Sequence, residues 1–284
     1  MSTPSDPQHR PLSMVVSWRD RIELSRALPS MLTALDAVGG DLNLVDYSGT
    51  QSLLEAQLGE HAERVNVIAI EDEQYFNKAA AQNLGAAHSR GDVLFFCDCD
   101  IVLAPDALSS MLALMRVDED SFGTLAGVRE SETNSRQANH VVSFGYELNI
   151  RTADGRHLRI VDNEEDVEDG TRQAPGLLFV RRRHFEAIDG YNGRLHGWGW
   201  EDQDMISRLT LGLGLRRVQH GTAVHLSHDD QARIGFYPPV TSRWESRDRM
   251  FRAALDNYDR RDFSGTWRKD VARFADRVRV RAAA

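Results

Sequence analysis

The sequence predicts an α/β fold with a mixed, mainly parallel central sheet flanked by helices. Three observations carry it. Short apolar runs alternate with segments of helical periodicity through the first third of the chain. One of those runs, Val93–Cys97, is continuously apolar, as a strand covered on both faces must be. The second half then changes character, with stretches that alternate in the manner of antiparallel strands.

Residues 1–11 are polar and Pro-rich and read as a flexible tail. Ser13–Trp18 is the first strand. Ile22–Val38 has helical spacing and stops at Gly39-Gly40. Leu42–Val45 is a second strand ending at Asp46, and Val65–Ile70 a third. Asn77–His88 is an Ala-rich helix that stops before Gly91. Arg129–His140 is polar and reads as a loop. Val141–Ile160 fits antiparallel strands, and Asp162–Asp169 a solvated acidic stretch. Gly176–Val180 is another apolar strand, Asp202–Leu211 a helix, and Leu215–His225 a last core strand. The Arg-rich Ser242–Ala284 reads as helical, with Val271, Phe274 and Val278 on one face. That face fits a helix docked on the core. The sharper alternative is a helix that touches a membrane surface or a partner. The expected organisation is a tail at 1–11, a main domain at 12–240 with halves at 12–128 and 129–240, and an extension at 241–284.

Composition bounds the function. With 41% hydrophobic and 27% charged residues, the 284-residue chain can build a proper core. A formal net charge of -9 argues against general nucleic-acid binding, which needs a basic footprint. An acidic protein still binds a diphosphate when a metal supplies positive charge. The two cysteines, Cys97 and Cys99, lie on one face of a strand and form no disulfide framework. There is no apolar leader and no run near the roughly 18 residues of a membrane span. A cytoplasmic protein is the expectation.

Three motifs carry chemistry. The strand Leu94–Cys97 delivers Asp98 and Asp100 at its carboxyl end, which in open α/β sheets faces the ligand crevice. Carboxylates this close repel unless a cation sits beside them, and Mn²⁺ or Mg²⁺ suits oxygen ligands. A strand-end turn with solvated acids gives the same pattern. His225 and His228 follow the last strand and can complete a Mn²⁺ shell, although such a pair is also ordinary on a surface. Finally, Gly197-Trp198-Gly199-Trp200 precedes Glu201 and Asp202. Indole faces stack on sugar rings. Acids at a helix start are favoured in ionised form by the dipole, and an ionised carboxylate can act as general base. Helix capping alone explains the acids but not the tryptophans and glycines.

Together, Ser17–Arg21, Phe76–Ala79, Asp98-Cys99-Asp100, Gly197–Asp204 and His225-x-x-His228 resemble, in order and spacing, the β-1,4-galactosyltransferase family. The wider group includes GT2-like bacterial enzymes of GT-A fold. The likeness spans roughly Val15 to Asp229. It implies a GT-A fold with a Rossmann-like nucleotide half and an acceptor half, and a metal-dependent transfer of a hexose or N-acetylhexosamine from a UDP-sugar to a hydroxyl of a glycan or other acceptor. By the same resemblance, Arg19 and Arg21 contact the diphosphate and Asp46 reads uridine. Phe76 and Lys78 line the nucleotide site, and Asp98 faces donor sugar and ribose. Asp100 and His228 hold the metal with His225 beside them. Trp198 shapes both substrate sites, Glu201 positions groups, and Asp202 is the inverting base. Lys78 replaces an Arg, and Trp200 replaces a Gly. The family's Golgi anchor is absent, which points to a bacterial cytoplasmic enzyme. The competing expectations are a retaining transferase resembling polypeptide N-acetylgalactosaminyltransferases, an inactive nucleotide-sugar binding module, and a metal-dependent nucleotidyltransferase.

Overall fold

A computed structural model of the chain describes residues 10–132, 145–163, 166 and 170–284. It begins with β1 (Arg10–Trp18), α1 (Leu24–Asp36), β2 (Asp41–Tyr47), α2 (Gln51–Leu58), a 3-10 turn at Gly59–Arg64 and β3 (Val65–Ile70). There follow α3 (Lys78–His88), β4 (Gly91–Asp98), β5 (Ile101–Leu103), α4 (Ala107–Val117), β6 (Ser121–Thr124) and β7 (Gly127–Glu130). A hairpin comes next, β8 (Gly145–Arg151) and β9 (His157–Asn163), and then β10 (Thr171–Arg172), β11 (Leu178–Arg181) and α5 (Arg182–Ala187). The chain closes with α6 (Glu201–Leu213), β12 (Arg216–Gln219), β13 (Thr222–His225), α7 (Asp230–Ile234), α8 (Arg243–Asp259), α9 (Trp267–Phe274) and β14 (Arg279–Arg281).

Among the described residues the main sheet has eight strands in the order β12-β6-β11-β4-β1-β2-β3-β14. The pairs β4–β1, β1–β2, β2–β3 and β12–β6 are parallel, whereas β11 and β14 run antiparallel to their neighbours. The mixed, mainly parallel sheet flanked by helices is therefore present. The period of two in β1 sends Met14 and Val16 to one core and Val15 to another. The first core is shared with Leu28, Met31 and Leu35 of α1, the second with Ala79 of α3 and Met205 and Ile206 of α6. A smaller sheet, β10-β7-β13-β5, lies beyond the carboxyl end of β4.

Several boundaries differ from the sequence expectation. Arg10 and Pro11, placed in the tail, belong to β1, and residues 1–9 lie outside the described residues. α2 was not expected: only Leu54 and Leu58 of it are buried, too short a pattern to show periodicity. Arg129 and Glu130, read as loop, are strand residues of β7, and 133–140 lie outside the described residues. The same holds for most of the acidic stretch, although Asp162 ends within β9. Leu215–His225 is two strands, because Gly221 turns the chain at φ 71° and sends β13 into the smaller sheet.

The Arg-rich segment is not wholly helical either. Its end adds β14 to β3, and Phe274 is buried against Tyr47, Ile68 and Leu84 with Val271 and Val278 packed beside it. The apolar face is thus docked on the core, the first of the two expectations for it, and is not free for a membrane or a partner. No helix among the described residues is long and apolar enough to cross a membrane. Cys97 and Cys99 are buried free thiols.

Candidate active site and metal centre

The carboxyl end of β4 and the smaller sheet form one corner of a deep cavity. β13 pairs antiparallel with β5 and parallel with β7, which sets His225 opposite Ile101 on one side and Glu130 on the other. The Leu226 amide donates to the Asp100 carbonyl at 2.8 Å, locking the two segments together. Asp100 Oδ2 then lies 3.2 Å from His228 Nε2, 3.5 Å from His225 Nε2 and 3.2 Å from the Arg21 guanidinium. One ligand atom from each of Asp100, His225 and His228 falls within 4.8 Å of the others. Asp100 Oδ1 is buried with no hydrogen-bond partner. A carboxylate oxygen, two imidazole nitrogens and an orphaned acceptor fit a divalent cation. The cluster can coordinate such an ion.

Electrostatics in this corner favour charge. Burial alone would raise the Asp100 pKa, but the charge of His225 and hydrogen bonds from both histidines, with Arg21, hold it well below the usual carboxylate range. Burial would lower His225; Asp100 and Glu130 more than offset it and raise its pKa.

The opposite corner is built by helix starts. Asn77 caps α3 by accepting from the Ala80 amide at 3.1 Å, and its Nδ2 donates to the Gly193 carbonyl at 2.9 Å. This ties the start of α3 to the loop that precedes α6. Lys78, the first residue of α3, thereby enters a nest of acids. Its Nζ is 2.7 Å from Asp98 Oδ1, 2.9 Å from Asp202 Oδ2 and 3.6 Å from Glu201 Oε1. Gly176 forms the floor here. A Cβ on it would meet Asp202 Oδ2 at 2.7 Å and Asp98 Oδ2 at 3.3 Å, so no larger residue fits without displacing a carboxylate.

Burial works against the helix dipole at Glu201 and Asp202. Burial and the charge of Asp202 push the Glu201 carboxyl up to about 7, and burial, opposed by Lys78 and aided by Asp98, also raises Asp202. Desolvation of two adjacent acids outweighs a terminal dipole worth about 0.3–1 kcal/mol. Trp200, at the N-cap, stands at φ 70° in the left-handed region. A glycine would take that conformation freely. The Trp200 ring instead packs on Phe251 of α8 at 4.5 Å.

Most of the expected site residues line this one cavity: Arg19, Arg21, Phe76, Lys78, Asp98, Asp100, Trp198, Glu201, Asp202, His225 and His228. Asp46 does not reach the lining. Its carboxylate accepts from the Gly49 amide at 2.8 Å, one strand away. Arg19 donates to the Glu73 carbonyl and lies 5.2 Å over the Phe236 ring. The sequence reading missed Glu130 and Arg172, which bond each other at 2.7 Å, and the contribution of α8 through Arg243, Trp244 and Arg247. Nothing local marks them, since each reaches the cavity only through strand pairing or helix docking. Arg182, at the start of α5, donates to the Gly91 and Ala86 carbonyls and to Ser89 Oγ, away from the cavity lining.

Residues 42–236 match the family described as glycosyltransferase like family 2, a span that takes in both corners of the cavity from Lys78 to His228. The chain belongs to that family. As a family member it is also similar to polypeptide N-acetylgalactosaminyltransferase 3 of Drosophila melanogaster, with 26% identity over 204 residues. That similarity covers 66% of this chain, which spans only 30% of the relative's length. The crystal structure of S. aureus TarS 1-349 is similar with a TM-score of 0.48 at 14% identity, over 77% of this chain and 58% of that one. Arg19, Arg21 and α8 lie outside the span that matches the family.

Proposed function

We propose that this family member is a metal-dependent glycosyltransferase of GT-A type. It moves a hexose or N-acetylhexosamine from a UDP-sugar to a hydroxyl of a glycan or other acceptor, with inversion. The observation that carries the reading is that Asp100 with its two histidines and Asp202 with Glu201 line one cavity.

Asp100, His225 and His228 would hold Mn²⁺ or Mg²⁺, which when bound supplies positive charge to the leaving diphosphate. Arg19 and Arg21 face the same diphosphate, and Phe76 packs beside the nucleoside. Asp98 faces the donor sugar. Asp202 is the base: its Oδ2 is held by Lys78, while its Oδ1 has no partner and can accept the proton of the attacking hydroxyl. A carboxylate whose proton affinity is raised takes that proton more readily, and Lys78 keeps it ionised until then. Trp198 offers an aromatic face at the mouth.

A second reading, a retaining transferase, draws support from the similarity to an N-acetylgalactosaminyltransferase. The experiment for both is a panel of UDP-hexoses and UDP-N-acetylhexosamines with Mn²⁺, scored for UDP release and for product anomer by NMR. Inverted product is expected. Retained anomeric configuration replaces the mechanism, and donor binding without turnover makes the protein a binding module. No binding and no turnover with any donor removes the proposal.

A further inference from the structure

The cavity contains one buried carboxylate for which the proposed transfer has no use. Glu130, at the end of β7, is 3% exposed. Its Oε2 lies 2.6 Å from His225 Nδ1 and accepts from Ser227 Oγ at 2.8 Å, while Oε1 accepts from Arg172 Nε at 2.7 Å. Both carboxylate oxygens are therefore held, one of them on the imidazole nitrogen that faces away from Asp100.

We propose that Glu130 is a positioning residue that sets His225 for metal ligation. An imidazole can ligate only through a nitrogen that carries no proton. With Nδ1–H donated to Glu130, the lone pair is on Nε2, the atom that faces Asp100 at 3.5 Å. His228 has the same arrangement by another route, its Nδ1 lying 3.1 Å from the Asp229 carbonyl oxygen and its Nε2 facing Asp100. Each histidine thus has an acceptor behind it, a backbone oxygen in one case and a buried carboxylate in the other. The in-register pairing of Glu130 with His225 on adjacent parallel strands makes the contact rigid. Arg172 keeps the carboxylate in place from the neighbouring strand β10. Partners behind a ligating histidine orient the ring and raise its basicity, and losing one typically weakens metal binding about 10–100-fold.

This proposal rests on the metal reading of Asp100, His225 and His228. Its test is Mn²⁺ titration of the full chain by calorimetry, with no donor or acceptor present. Glu130→Gln, which retains volume but can donate to Nδ1 and so favour the wrong tautomer, is expected to weaken Mn²⁺ binding about 10–100-fold. In a His225→Ala background the same change is expected to cost nothing further, which a role confined to holding β7 and β10 together would not produce. Should Glu130→Gln fail to fold, Glu130→Asp, which keeps the charge but withdraws it by one methylene, is expected to give a smaller loss of the same kind. Unchanged Mn²⁺ affinity in the folded variant, or an equal loss with and without His225, overturns the role of Glu130 alone. Absence of Mn²⁺ binding by the wild-type chain overturns the metal reading and this role together.

Discussion

Lys78 Nζ lies 2.9 Å from Asp202 Oδ2 across 124 residues of chain. The contact joins the first turn of α3 to the first turn of α6, and it holds a positive charge against the buried Glu201, the largely buried Asp202 and the part-exposed Asp98. Burial alone would lower the Lys78 pKa; the three acids instead raise it well above the usual lysine range.

Lys78→Met leaves these acids without their cation. Removing one partner from a buried ion cluster costs about 3–5 kcal/mol. Urea unfolding near neutral pH is expected to show a loss of that order, and a smaller one at acid pH, where the protonated acids need no counter-charge. A loss that is the same at both pH values would mean that Lys78 contributes through packing of its alkyl chain instead.

Asp202→Asn preserves shape and removes the base. Loss of a general base costs about 10²–10⁴-fold in rate. UDP and Mn²⁺ are expected to raise the melting temperature of this variant as in wild type, while transfer falls by that factor. Full transfer activity in Asp202→Asn would eliminate this residue as the base.

Glu201 gives the stability a pH slope of definite sign. Its carboxyl moves from an ordinary 4.5 up to about 7 in the folded chain. Between these values the folded state binds more protons than the unfolded one, so stability falls as pH rises through the window and levels off above it. Asp202, also raised, adds to the slope in the same sense, so Glu201→Gln is expected to reduce it, measured by denaturant unfolding across the range. Asp100 and Glu130, both lowered, act in the opposite sense and only in more acid solution, where their stabilisation is lost as pH falls. An unchanged slope in Glu201→Gln would locate the titration elsewhere.

Asp100→Asn weakens the metal cluster at its only carboxylate. A ligand at 100 times its dissociation constant stabilises the folded state by about 2.7 kcal/mol. Wild type is expected to gain melting temperature with Mn²⁺ in that concentration range, and Asp100→Asn to gain little. Equal gains would place the ion somewhere else on the protein.

Trp200→Gly sets two effects against each other. Relief of the left-handed backbone is worth about 1–2 kcal/mol. Loss of a buried aromatic ring costs about 3–5 kcal/mol. The ring is 5% exposed and packs on Phe251, so packing is expected to win, with a net destabilisation of about 1–4 kcal/mol in urea unfolding. A variant more stable than wild type would reverse that ranking.

The sequence was a good guide wherever the governing physics is local. Alternating and continuous apolar runs placed β1, β3 and β4, and helical spacing placed α1, α3 and α6, because backbone period and side-chain pattern are set by near neighbours. It also singled out Asp100, His225, His228, Glu201 and Asp202, since acids at strand and helix ends and closely spaced histidines are visible as text. Their meeting in one cavity depends on β13 pairing with β5 and β7, and on α3 and α6 starting side by side. Glu130 looked like part of a loop, and only the register of two strands sets it behind His225. The electrostatics of the Glu201–Asp202 pair escaped the sequence for a related reason. A dipole can be read from chain position, but desolvation and the field of Lys78 depend on which groups fold around the acids.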